Sequence, residues 1–139
     1  MSNSEKIVTI VDDDIYTAKL FHEALSENIK GISVYSFTDP VRAFEHFVEN
    51  KENSILVISD LRMPGLNGLE LLKKVKTSNP KVRTILMSAY NFEEEDLYQQ
   101  YMKEAVINST IEKSITINRL YQKVREELNA YQKGKSVKS

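Results

Sequence analysis

Near-continuous apolar runs recur along the chain at residues 7–11, 32–37, 55–58, 82–87 and 105–111. They are short, end at polar residues and lack strict alternation, which suits strands covered on both faces. Between them the apolar period lengthens to that of a helix. Ala18, Phe21 and Leu25 share one face, as do Val41, Phe44 and Val48; Leu69, Leu72 and Val75; Tyr98, Tyr101 and Met102; and Ile117, Tyr121, Val124 and Leu128. A strand followed by a helix, repeated along the whole chain, predicts an α/β domain: a parallel sheet with right-handed crossovers and helices on both faces.

Local signals mark the helix starts independently of that pattern. Asp39-Pro40 supplies an N-cap and a first helical residue, and Asn67 with Glu70 has the spacing of a capping box. Glu93, Glu94, Glu95 and Asp96 crowd the expected first turn of the fourth helix, where the macrodipole favours negative charge. Residues 1–5 and 132–139 read as frayed tails around one domain of residues 6–131.

Composition narrows the chemistry. With 19 Lys and Arg against 20 Asp and Glu, the net charge of -1 creates no global field for nucleic acid or anionic lipid. The absence of cysteine excludes disulfides, thiolate nucleophiles and Cys-ligated zinc, which leaves oxygen ligands and hard cations. No apolar run approaches a membrane span, and the polar start MSNSEK lacks a signal-peptide core, so a cytoplasmic protein is expected. His22 and His46 fall on helices away from the strand ends and are expected to pack or face solvent.

In sheets of this kind ligands bind outside the carboxyl ends of the strands. The first strand ends in Asp12 and Asp13, the third in Ser59-Asp60, the fourth in Ser88-Ala89, and the fifth runs into Lys113. Two carboxylates about 4 Å apart repel by roughly 4 kcal/mol at an effective dielectric of 20. Such a group needs positive charge. Lys113 offers one, and an all-oxygen pocket of carboxylates, a carbonyl and water is the environment of Mg²⁺ or Mn²⁺. Asp60, flanked by the cation and the ammonium, is placed to attack a phosphoryl group and become an acyl phosphate.

These residues resemble the response-regulator receiver domain, the phosphoacceptor module of two-component signalling, over residues 6–131. IVDDD is similar to its acidic pair, ISDLRMPGLNG to the segment around its phosphorylated aspartate, ILMSAY to its switch-hydroxyl segment and IEKS to its lysine segment. The resemblance implies a flavodoxin-like (βα)5 sheet of strand order 2-1-3-4-5. It implies Asp60 as phosphoacceptor, Asp13 as a direct Mg²⁺ ligand, Asp12 as a ligand through water, and the Arg62 main-chain carbonyl as a further ligand. Ser88 would bond the phosphoryl group and Lys113 would pair with it, while Pro64 and Gly68 match the following loop. Asp14 reads as an N-cap rather than a ligand.

The implied partners are a histidine kinase or histidine phosphotransfer protein as donor and a downstream protein on the face of helix 4, strand 5 and helix 5. Homodimerisation is allowed, and direct nucleic-acid or membrane contact is not expected. The chain would assist its own phosphorylation and dephosphorylation without being an enzyme. The mobile element would run from Ser88 to Phe92 into helix 4 and strand 5. Tyr98 and Tyr101 lie near the output face, as anchors or as core. Ile15 and Tyr16 border the donor's approach or pack helix 1, and bulk at Arg62 and Tyr90 is expected to slow hydrolysis.

Two positions depart from the family pattern. Ser114 stands where a proline usually follows the lysine, and Thr110 stands where an aromatic switch residue is usual. They motivate a rival reading as a constitutively docking pseudo-receiver. The DxD of Asp12 and Asp14 also fits a haloacid-dehalogenase-type phosphatase with Asp12 as nucleophile, although Asp60 then has no role.

Overall fold

The computed structural model describes residues 5–89 and 96–137. Its elements alternate as β1 (Ile7–Val11), α1 (Ile15–Asn28), β2 (Ser33–Phe37), α2 (Pro40–Glu49), β3 (Ser54–Asp60), α3 (Gly68–Ser78), β4 (Arg83–Ser88), α4 (Asp96–Lys103), β5 (Ser109–Glu112) and α5 (Ile117–Val137). The strands form one parallel sheet in the order β2-β1-β3-β4-β5, the expected doubly wound topology. Strand order reverses at β1, so the carboxyl ends of β1 and β3 flank a crevice.

Two apolar layers hold the sheet. On one face Val11, Val57 and Leu86 meet Phe47 of α2, Leu72 and Val75 of α3 and Tyr98 of α4. On the other, Ile10, Ile58 and Met87 meet Phe21 and Leu25 of α1 and Leu120 and Val124 of α5. β1 and β3 are buried along their whole length, whereas β2, with one strand neighbour, is half-buried throughout. Each buried Leu, Ile or Phe contributes roughly 1.5–3 kcal/mol.

The expected helix starts are present. Asp14 caps α1, accepting from the Tyr16 amide at 3.1 Å and the Thr17 hydroxyl at 2.9 Å. Asp39 caps α2 through the Val41 amide, and Asn67 and Glu70 form a reciprocal capping box on α3. Glu93, Glu94 and Glu95 lie outside the described residues.

Several helical faces are rotated from the predicted ones. On α2, Val41 and Val48 are 52% and 43% exposed while Pro40, Ala43 and Phe47 are buried, with Phe44 between the two sets. Both sets have helical spacing, and the larger apolar area of Phe47 decides which turns inward. On α4 Met102 is exposed, and on α5 Leu120 replaces the exposed Ile117 in the core. The last strand is shorter than its apolar run of 105–111. After α4, Ala105 takes a left-handed φ of 61° and the Val106 amide bonds the Tyr101 carbonyl, so Val106 and Ile107 enter the core as loop. At the other end, α5 continues through Gly134 to Val137, beyond the expected boundary at 131.

Gly68 fixes the loop beneath the crevice. Its amide donates to the Leu61 carbonyl at 2.9 Å, and a Cβ built there lies 2.1 Å from the Asp60 carbonyl oxygen. Any side chain must therefore displace the backbone at Asp60. Gly68→Ala is expected to cost about 1–3 kcal/mol as overpacking against rigid backbone, measured by urea unfolding. An unchanged midpoint would show that this contact is not constraining.

Candidate functional site

The carboxyl ends of β1, β3, β4 and β5 deliver acidic, hydroxyl and ammonium groups to one place. Asp12 follows β1, its amide bonded to the Phe37 carbonyl at 3.0 Å, and its side chain is fully buried. Asp60 closes β3 and is 5% exposed. One carboxylate oxygen from each of Asp12, Asp13 and Asp60 lies within 4.8 Å of the others, with Asp13 at the exposed rim. Ser88, at the end of β4, is buried.

Lys113 reaches this cluster from β5, anchored by its own amide, which donates to the Ser88 carbonyl at 2.9 Å. Its Nζ lies 2.9 Å from Asp12 Oδ2 and 3.3 Å from Asp60 Oδ1. The peptide bonds among the described residues are trans, so Ser114 does not prevent the lysine from entering the pocket. Asp12 Oδ1 accepts from the Asp14 amide at 2.9 Å, whereas buried Oδ2 has no hydrogen bond of good geometry and relies on the Lys113 ion pair.

Three carboxylates thus face one ammonium. Burial, and then the neighbouring Asp12 charge, push the Asp60 carboxyl up to about 6, against the opposing pull of Lys113. Burial works against the charge on Lys113 as well, but hydrogen bonding and attraction from Asp12 and Asp60 hold the ammonium above its ordinary range. Asp14 behaves differently: the Thr17 hydroxyl and then the Tyr16 amide keep its carboxyl low, committing it to the helix cap.

The donor set suits a hard divalent cation. It is all oxygen, clustered, short of positive charge and open on the Asp13 side. Arg62 opens the exposed loop directly after this cluster. The Leu61 amide donates to the Met87 carbonyl at 2.8 Å, extending the β3–β4 pairing one residue beyond Asp60.

The remaining candidates sort by position. His22 Nδ1 hydrogen-bonds the Ser36 hydroxyl at 3.0 Å, and His46 packs against the Tyr35 and Phe37 rings, so neither joins the cluster. Tyr98 is core and Tyr101 is half-buried beneath Lys73, which removes them as fully exposed anchors. Thr110 pairs with Leu86 as a half-buried strand residue. Ile15 and Tyr16, at 61% and 81% exposure, form an apolar step beside the acidic rim. Tyr90 and Phe92 lie outside the described residues. Sequence reasoning did not foresee the resting partner of Lys113, the buried Asp12; the signal available was that one ammonium had to serve three acids.

A family model, the response regulator receiver domain, matches residues 8–125. The chain belongs to this family. Among relatives, the receiver domain is 33% identical over 97 residues to sporulation initiation phosphotransferase F of Bacillus subtilis, covering 70% of this chain and 73% of that protein. It is also 33% identical over 85 residues to the DNA-binding transcriptional regulator NtrC of Escherichia coli, covering 61% of this chain but 17% of NtrC. Among solved structures, response regulator TrrA of Thermotoga maritima in complex with Mg²⁺ and BeF matches at TM-score 0.75 and 28% identity, covering 88% of this chain and 99% of that one. A CheY-like receiver domain from Methanospirillum hungatei matches the fold at TM-score 0.81 with 24% identity over 94% of this chain and 99% of that one.

Membership removes the phosphatase reading, and the geometry agrees with its removal. Asp14 is spent on the cap of α1 and is not free to act as the acid. No helix among the described residues is long and apolar enough to cross a membrane.

Because its carboxyl is raised, Asp60 supports the fold most fully below about pH 4 and loses that contribution as pH rises through about 6. In the absence of divalent cations, Asp60→Asn is expected to be more stable than the parent by about 1–3 kcal/mol near pH 7.5. The difference should vanish near pH 4. Urea midpoints at the two pH values measure this, and a pH-independent difference would contradict the electrostatic picture.

Proposed function

We propose that this receiver domain takes a phosphoryl group onto Asp60 from a phosphohistidine of a histidine kinase or histidine phosphotransfer protein. A carboxylate oxygen of Asp60 attacks phosphorus, the phosphorus–nitrogen bond breaks, and the departing imidazole keeps the electron pair and takes a proton. The product is an acyl phosphate. The observation that carries this reading is a buried, charge-deficient carboxylate with an ammonium 3.3 Å away and two more acids beside it.

Asp12, Asp13 and Asp60, with the Arg62 main-chain carbonyl, would hold Mg²⁺, with Mn²⁺ as a substitute. When bound, the cation supplies the positive charge that offsets the acids and the phosphoryl oxygens. Lys113 already bridges Asp12 and Asp60, so pairing with the phosphoryl group needs a short movement of one side chain. Ser88 is the hydroxyl that receives the new group at the end of β4.

A phosphoryl group adds nearly two negative charges and three acceptor oxygens. Hydrogen bonds to charged groups contribute about 1.5–3 kcal/mol each, and inverting a 1:99 equilibrium takes about 5.5 kcal/mol. Ser88 and Lys113 must therefore act together. The affected surface is that of α4, β5 and α5, where a downstream protein or a second copy would bind. Ile15 and Tyr16 form the apolar step against which the donor would seat, and the setting is cytoplasmic. The chain assists its own phosphorylation and hydrolysis and has no separate substrate.

Incubation with acetyl phosphate and Mg²⁺, read by intact mass, should add one phosphoryl group to the parent and none to Asp60→Asn. Absence of any adduct in the parent would favour a constitutively docking pseudo-receiver. Bulk at Arg62 beside the acyl phosphate should obstruct water, so Arg62→Ala is expected to lose phosphate faster than the parent. An unchanged decay would remove Arg62 from that role.

A further inference from the structure

At the opposite edge of the sheet from the acidic cluster, α3 ends, β4 begins and α5 passes over both. Arg83 is the first residue of β4, Ser109 the first of β5, and Lys76 lies in the last turn of α3. A carboxylate facing Arg83 is Glu127 of α5, which is 6% exposed. Both its oxygens are engaged: Oε1 accepts from Arg83 Nε at 2.6 Å and Oε2 from the Ser109 hydroxyl at 2.6 Å.

Lys76 is left over. It is half-buried, and among the described residues no hydrogen bond or ion pair engages its ammonium. Burial, and then the like charge of Arg83, bring the ammonium down to about 8, with Glu127 opposing only in part. Desolvating a cation without a partner is costly.

The two cations border open space. A cavity of about 200 Å³ is walled by Lys76, Lys81 and Arg83 on one side and Pro80, Ala130 and Tyr131 on the other. A second concavity of about 430 Å³ begins across Lys76 and Arg83 and is lined by Thr77, Asn108 and the Lys73–Glu104 ion pair, so the carboxylate on its wall is already paired. If the Arg83–Glu127 pair served only to pin α5, Lys76 would gain by extending into solvent, as long cationic side chains ordinarily do. Instead it remains beside Arg83 at the cavity.

We propose that this cavity is an oxyanion site, taking the phosphate group of a small phosphorylated molecule between Lys76 and Arg83, with Tyr131 and Pro80 against its organic part. A planar guanidinium already fixed through Nε keeps its other nitrogens for a phosphate oxygen, and the neighbouring Lys76 ammonium supplies the second contact. The site is separate from Asp60 and needs no chemistry there.

The test uses the full chain with Mg²⁺ and no phosphodonor, titrated by amide NMR at constant ionic strength. The probes are inorganic phosphate and adenosine monophosphate, with chloride as control. The expected result is saturable shifts at Lys76, Arg83 and Tyr131 with either probe, retained in Asp60→Asn and weakened at least tenfold in Lys76→Met, which keeps the aliphatic stem. Tighter binding of the nucleotide would assign the natural ligand an organic part, and equal binding would assign free phosphate. Shifts confined to the Asp60 pocket, shifts matched by chloride, or equal affinity in Lys76→Met would each overturn the proposal. The last variant leaves the Arg83–Glu127 pair intact, so loss of folding does not confuse the outcome.

Discussion

The ion pair between Lys113 and the two buried acids, Asp12 and Asp60, sets the terms for the rest of the structure, because it places one positive charge among three negative ones in a crevice open at the Asp13 rim. At an effective dielectric near 20, each close carboxylate pair costs roughly 4 kcal/mol. A single ammonium cannot offset all of these. The domain therefore carries an excess of negative charge in this crevice. Under the proposed function a divalent cation would offset this excess, and together with Lys113 would make room for the negative phosphoryl group.

Much of the backbone serves to hold that arrangement still. Four strand ends converge because the sheet is parallel and strand order reverses at β1. The Asp14 cap directs the chain away after Asp12 and Asp13, so a third aspartate in the run starts a helix instead of adding charge to the pocket. Gly68 lets the next helix begin against the Asp60 carbonyl, and the Lys113 amide ties β5 to the end of β4 at Ser88. Ser88 and Lys113 are thus joined directly through the backbone of adjoining strands.

The alternation of strands and helices, the caps at Asp14, Asp39 and Asn67, and the gathering of Asp12, Asp13, Asp60 and Lys113 were legible in the sequence. Each rests on local chemistry or on the fixed rule that parallel strands point their carboxyl ends one way. Less legible was the rotation of α2 and α5 about their axes. Val41 and Phe47 both sit on plausible helical stripes, and only packing against the sheet chooses between them. The start of β5 was obscured for a related reason: Val106 and Ile107 are as buried as strand residues while lying in the turn after Ala105. Pairings distant in sequence, such as Arg83 with Glu127, carry no local signal at all.

The crevice account is tested most directly by a crystal structure of the domain with Mg²⁺ and beryllofluoride. It predicts a beryllium–oxygen bond to Asp60, the cation among Asp12, Asp13 and Asp60, and Lys113 turned from Asp12 toward the fluorides. Mg²⁺ bound elsewhere, or Lys113 still bridging the two acids with Asp60 unmodified, would contradict it.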